Sequence, residues 1–221
     1  DHQLIVAPNG NDIDTIADYR SAREYHEAGT LRFEICASQQ YGSGHLRRCL
    51  ALARELDHHT ISFGATVDTE EWATKEIDHA GYLNVAQSPA DVVVFDLLDT
   101  TSEQVALMHS TGARVICLED LGPGSDHADT VVNELYTGSP HPHVLSGPRY
   151  AVLRPEFMAA PPFEIYDNAS RVLVTFGGTD PAGMTSRVTK VLSGECDTAT
   201  VNDNECIAEA MRAADLIVTS C

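Results

Sequence analysis

Gly42-Ser43-Gly44-His45-Leu46-Arg47-Arg48-Cys49-Leu50-Ala51-Leu52-Ala53 follows the strand-like run Leu31 to Ala37 after a short polar link. From His45 to Leu56 the apolar residues Leu46, Cys49, Leu50, Ala53 and Leu56 recur with helical spacing. Strand, glycine turn and helix in that order form the repeating unit of a parallel sheet covered by helices. The rest of the chain repeats it. Thr60 to Ala65 reads as a second strand and Glu70 to Ala80 as a helix. Val92 to Leu98 is a continuous apolar run interrupted by Asp96, as expected of a strand buried on both faces. Ser102 to Thr111 reads as a helix, and Arg114 to Asp120 repeats the strand-to-acid pattern. Gly122-Pro123-Gly124 then breaks the chain, and the stretch through Pro142 reads as loop. The fold class expected is α/β.

A second unit opens after the proline-rich segment Pro155 to Pro162. Arg171 to Phe176 reads as a strand running into Gly177-Gly178-Thr179-Asp180-Pro181, with a helix from about Ala182 to Leu192. Asn204 to Ala214 is amphipathic, and Ala214 to Thr219 reads as a further strand. Between Ser193 and Val201 a helix meets a helix with no strand signal, from which we expect residues to be missing there. The division expected is 31–157 and 158–221, the second unit incomplete, preceded by a short segment 1–30.

Several residues in this frame suit chemistry. Gly42, Ser43 and Gly44 permit close approach of a ligand to the backbone, and the N–H groups that open the helix attract anions. His45 stands at that helix mouth, where it serves either as a structural cap or as a proton carrier. Arg48, one turn later, either contacts a phosphate or pairs with Glu55 or another acid. Asp96 ends an apolar strand, the place where open α/β sheets hold their ligands, although a loop-bound carboxylate fits equally. Asp120 has the same alternatives, with a weaker claim because Gly122 turns the chain immediately. Gly177, Gly178, Thr179 and Asp180 repeat the strand–glycine–helix arrangement in a form suited to a diphosphate.

The run from Gly42 to Ala53, the run Gly147-Pro148-Arg149-Tyr150-Ala151-Val152-Leu153-Arg154-Pro155-Glu156-Phe157 and the run from Val172 to Pro181 together resemble the PseG/SpsG family. These are UDP-sugar hydrolases of pseudaminic acid synthesis and related spore-coat polysaccharide proteins, built like GT-B glycosyltransferases such as MurG. The resemblance covers about Leu31 to Cys221. It implies two Rossmann-like domains facing a cleft, with a UDP-sugar as substrate and neither metal nor cofactor, since dipoles and N–H groups stabilise the leaving diphosphate. It also implies that His45 activates a water, that Gly42, Ser43, Gly44, Arg48 and Asp96 border sugar or phosphate, and that Tyr150 and Glu156 shape the wall between domains. Gly177, Gly178, Thr179, Asp180, Thr219 and Ser220 would then meet the nucleotide. The family usually has an Arg and an Asp where this chain has Cys36-Ala37-Ser38-Gln39-Gln40, so the sugar is not specified. The family's uridine loop should follow Ser220, so the base is not specified either. A glycosyltransferase with the same cleft and a non-catalytic partner are the competing readings. Separately, Asn11-Asp12-Ile13-Asp14-Thr15 with Ile16 to Ala28 resembles the end of a sugar nucleotidyltransferase, implying fusion to or association with a cytidylyltransferase. A surface strand and helix is the alternative.

Composition narrows the partners. The 221 residues carry 33 acidic and 14 basic side chains, a net charge of −19, with Lys75 and Lys190 the only lysines. Such a chain repels nucleic-acid phosphates. No apolar run is long enough to span a bilayer, and Asp1-His2-Gln3 is unlike a signal peptide, so no membrane insertion and a cytoplasmic location are expected. The six cysteines form no CxxC pair and read as free thiols. The excess of acid points to adaptation to high salt, where screening relieves self-repulsion; an ordinary acidic bacterial protein is the plainer alternative. The folded circular dichroism signal should therefore persist as salt is raised. Its loss in high salt, with retention in low salt, would contradict halophilic adaptation.

Overall fold

The computed structural model describes residues 29–85, 88–134, 141–158, 167–177, 180, 182–201 and 206–219. The segment that resembles a nucleotidyltransferase tail therefore lies almost wholly outside the described residues, as do Gly178, Thr179 and Ser220.

Seven strands form one parallel sheet in the order β3-β2-β1-β4-β5-β6-β7. They are β1 (Thr30–Ile35), β2 (Thr60–Ala65), β3 (Leu83–Asn84), β4 (Val92–Asp96), β5 (Arg114–Leu118), β6 (Thr130–Asn133) and β7 (Val144–Ser146). Helix α1 (Gly44–Glu55) follows β1, α2 (Glu71–His79) follows β2, and α3 (Ser102–Ser110) follows β4. Alternation along the strands decides the two cores. Leu31, Phe33 and Ile35 of β1 turn to one face, where they meet Leu46, Cys49, Leu50 and Ala53 of α1 and Ala73 and Ile77 of α2. Phe33 and Phe63 stack there with ring centroids 5.3 Å apart. Val93 and Phe95 of β4 turn to the other face, against Val105 of α3 and Val115 and Cys117 of β5. Val94 joins the first core, so β4 is packed from both sides and its continuous apolar run is explained. Each fully buried Phe contributes about 1.5–3 kcal/mol to holding these layers together.

A second parallel sheet has the order β10-β8-β9. It consists of β8 (Arg171–Val174), β9 (Asp197–Thr200) and β10 (Leu216–Val218), with α4 (Pro155–Met158) preceding it and α5 (Met184–Leu192) and α6 (Ile207–Arg212) between its strands. The expected gap between Ser193 and Val201 is corrected here. β9 occupies it, pairing in register from Arg171↔Asp197 to Val174↔Thr200. It escaped pattern reading because Asp197-Thr198-Ala199-Thr200 is a polar edge strand whose backbone, not its side chains, supplies the pairing. The stretch expected to be loop up to Pro142 likewise contains β6. Strands β3 and β7, short and at the two edges, also carry little apolar signal. Among the described residues, no helix is long and apolar enough to cross a membrane.

Beyond β4 and β5 the chain is held tightly. The Asp120 carboxylate accepts hydrogen bonds from the Gly122 N–H (2.8 Å) and the Thr100 N–H (3.1 and 3.2 Å), and from the Thr100 hydroxyl. This buried carboxylate is a loop anchor. A Cβ on Gly122 would fall 2.5 Å from the Thr100 carbonyl oxygen and 2.6 Å from its nitrogen, atoms that cannot move aside singly. Gly122→Ala should lower stability by about 2 kcal/mol in urea denaturation. An unchanged midpoint would show that the turn has more room than these distances allow.

Candidate active site

The carboxyl ends of β1, β4 and β6 deliver the groups of the site to one edge of the large sheet. Gly42 takes a left-handed conformation (φ 81°), and its N–H returns to the Ser38 carbonyl at 2.7 Å. That turn swings the chain from β1 into α1. Ser43 precedes the helix without donating or accepting a side-chain cap. Gly44 has open space where a Cβ would stand. His45 and Arg48 then project from the first turn of α1, as expected of residues three apart.

They converge on Asp96, the last residue of β4, which is 0% exposed. His45 Nδ1 lies 2.5 Å from Asp96 Oδ1. Arg48 grips the same carboxylate with both ends of its fork, Nε to Oδ2 at 2.8 Å and Nη2 to Oδ1 at 2.7 Å. The Cys49 thiol donates to Oδ2 at 3.4 Å. Arg48 Nη1 reaches Glu134 Oε1 at 3.1 Å, just past the end of β6. Burial pushes the Asp96 carboxyl upward in pKa, yet the hydrogen bonds and charges of Arg48 and His45 outweigh burial and hold it below its usual range. The Cys49 thiol, buried and beside that carboxylate, is pushed upward and remains a donor. An ionised carboxylate only accepts, so His45 must place its proton on Nδ1 when neutral. Its Nε2 then carries the lone pair, the state of a general base held by an acid behind it.

His45 and Arg48 line a cavity of about 340 Å³ with Tyr41, Glu134, Leu153 and Phe157. Arg47 and Arg154 complete its basic rim. Leu98 (φ 73°) and Glu119 (φ 49°), just past β4 and β5, are held in left-handed backbone conformations rare outside glycine. Strain of this kind gathers at ligand-handling edges.

The structure sorts the expected site residues. His45, Gly44, Arg48 and Asp96 are together, with Gly42 and Ser43 forming the turn beneath them. Arg48 pairs with the acids Asp96 and Glu134, not with Glu55. Tyr150 and Glu156 do not line the cavity. Tyr150 sits under the Arg149 guanidinium, 4.6 Å from its ring centre, and Glu156 pairs with Arg154 at 3.1 Å. Their neighbours Val152, Leu153, Arg154 and Phe157 line it instead. On the second sheet, Gly177 (φ 85°) follows β8 and exposed Thr219 follows β10, the adjacent parallel strand, so both stand at one edge. Asp180 turns back onto α5, accepting from the N–H groups of Met184 (2.9 Å) and Thr185 (2.8 Å). Glu134 was missed by pattern reading. Val131-Val132-Asn133-Glu134 does repeat the strand-to-acid signal of β4, in a run too short to stand out.

No family model matches the chain. An uncharacterized protein of Methanocaldococcus jannaschii is 25% identical over 184 residues, covering 70% of this chain and 38% of the relative. The chain therefore spans well under half the length of that relative. The crystal structure of Acinetobacter baumannii MurG matches with a TM-score of 0.55 at 12% identity, covering 86% of this chain and 72% of that one. This likeness shows the fold, an α/β architecture of the GT-B type.

Because Asp96 is ionised and paired in the folded state, its lowered pKa stabilises the protein above the unfolded value, near about 4, and that contribution is lost as pH falls through the folded value. Asp96→Asn should lower stability at pH 7 by about 3 kcal/mol, since it removes the carboxylate that both Nε and Nη2 of Arg48 grip and leaves Glu134 as its remaining counter-charge. The deficit should narrow as the pH falls below about 4, where the unfolded chain takes up the proton first, and close once the folded carboxyl is protonated as well. A constant deficit from neutral to acid, measured by urea denaturation at each pH, would rule out the ion pair as its source.

Proposed function

We propose that this chain is a nucleotide-sugar hydrolase that cleaves a UDP-sugar at its anomeric carbon, releasing UDP and a free amino-deoxy sugar for surface-glycan synthesis. The observation that carries the reading is the His45–Asp96 pair at 2.5 Å on the wall of a cavity at the carboxyl edge of the sheet. In the proposed reaction His45 Nε2 takes a proton from water as the water oxygen bonds to the anomeric carbon. The bond from that carbon to the diphosphate oxygen breaks, and UDP departs with its electron pair. Asp96 stabilises the imidazolium that forms. The cavity lies at the small end of ligand sites, about 300–1,000 Å³, which suits one sugar ring with its water. Tyr41 and Phe157 offer apolar ring faces for the C–H groups of a deoxy sugar. The nucleotide falls to the second sheet, where Gly177 and Thr219 share an edge. The fold itself supports this class of substrate through the MurG likeness.

That same likeness favours one competing reading, a glycosyltransferase in which His45 deprotonates an acceptor hydroxyl in place of water. The two separate cleanly. Incubated with a panel of UDP-sugars and no acceptor, the full chain should release UDP and free sugar together. His45→Asn should slow that release by about 10²–10⁴-fold. UDP binding without release would identify the transferase. Absence of both binding and release would leave a non-catalytic partner.

A further inference from the structure

Glu134 connects two parts of the molecule that no other described side chain joins in this way. Its Oε1 accepts from Arg48 Nη1 at 3.1 Å, and its Oε2 accepts from the Val152 N–H at 2.9 Å. Its own N–H donates to the Glu119 carboxylate, fixing the turn on which it stands. One carboxylate oxygen thus faces the Arg48–Asp96–His45 network. The other faces the chain segment that leaves β7 for the second sheet. That segment supplies Val152, Leu153, Arg154 and Phe157 to the cavity. Arg48 cannot shift without changing its grip on Asp96, because both ends of its fork are committed there. Asp96 in turn holds His45.

We propose that Glu134 is a positioning residue that makes the alignment of His45 depend on the docking of the 151–157 segment. When Val152 is docked, the carboxylate is held at both oxygens, Arg48 is drawn to one place, and Asp96 presents Oδ1 to His45. When the segment lifts, Glu134 loses one anchor and the whole series loosens. The wall that encloses a ligand and the base that acts on it are thereby tied together. For its consequence in turnover this rests on the hydrolase reading; the linkage itself does not.

Two substitutions separate linkage from simple support. Glu134→Gln keeps the size but presents an amide N–H₂ to one of two donors, so one contact is lost. Val152→Pro removes the N–H that Glu134 accepts while exchanging one apolar side chain for another and fixing φ at that position, and Ala151 already has the extended backbone (φ −61°, ψ 128°) tolerated before proline. The readout is the imidazole nitrogen and Nδ1 proton signals of His45 in the full chain labelled with ¹⁵N-histidine, assigned by their loss in His45→Asn. Both variants should shift or broaden the Nδ1 proton signal while remaining folded. Both should also lower kcat for UDP release by about tenfold, the scale set by small misplacements of a catalytic group. His45 signals identical to wild type in both folded variants would overturn the proposal. Movement in Glu134→Gln alone would overturn the part played by the segment. Movement in both, without UDP release by the wild type, would uphold the linkage and discard the hydrolase.

Discussion

The arrangement at the sheet edge follows from one buried charge. A carboxylate removed from water, as Asp96 is, persists only if its lone pairs are taken by well-placed donors. Four donor contacts do this: one from His45, two from Arg48 and one from Cys49. All three donors belong to the first turn and a half of α1. The helix therefore has one workable position over the end of β4, and the Gly42 turn must deliver it there. Its apolar side agrees, since Leu46, Cys49, Leu50 and Ala53 fill the space over Phe33 and Ile35. Hydrophobic packing and charge compensation fix the same helix from opposite directions.

Arginine is the residue suited to this task. A lysine would offer a point charge, whereas the guanidinium fork meets both Asp96 oxygens and has a further N–H for Glu134. The choice matters more in a chain with a net charge of −19. Most of its surface repels anions, yet Arg47, Arg48 and Arg154 border one cavity. Each is matched to an acid: Arg47 to Glu76, Arg48 to Asp96 and Glu134, Arg154 to Glu156. The cavity rim is thus a set of oriented pairs in an acidic molecule, able to meet polar ligand groups without a large free charge.

Much of this was legible in the sequence for physical reasons. The period of two in β1 and the period of 3.6 in α1 are both strong because each element buries one face in a large core. The doubly buried β4 announces itself as Val92-Val93-Val94-Phe95, and the acid that follows it is the one that meets α1. Asp96 and Asp120 both end apolar strands, and in the sequence only the Gly122 turn right after Asp120 weakens its claim. What separates them is the neighbour: Asp120 is taken up by the Thr100 and Gly122 turn, whereas Asp96 meets side chains from α1. Strands β3, β7 and β9 stayed hidden because an edge strand needs only backbone pairing on one side. Glu134 acts through Arg48 and Val152, partners distant in sequence, and no local spacing encodes such pairs.

The two glycine turns look like twins in the sequence and differ in the structure. Both lead from a strand of a parallel sheet to a helix, and both include a left-handed glycine, Gly42 and Gly177. At α1 the helix mouth has no side-chain cap, and its His45 and Arg48 are drawn sideways to Asp96. At α5 the mouth is closed by Asp180, whose carboxylate takes the N–H groups of Met184 and Thr185 and is held below its usual pKa, chiefly by the Thr185 backbone. An anion arriving at α5 would meet a carboxylate already using the dipole. The anion-attracting capacity of a helix N-terminus therefore lies with the half that holds His45, while the second half offers the open backbone at Gly177 and the strand end at Thr219. Any ligand spanning both must be held by different physics at its two ends, dipole and imidazole at one, bare backbone at the other.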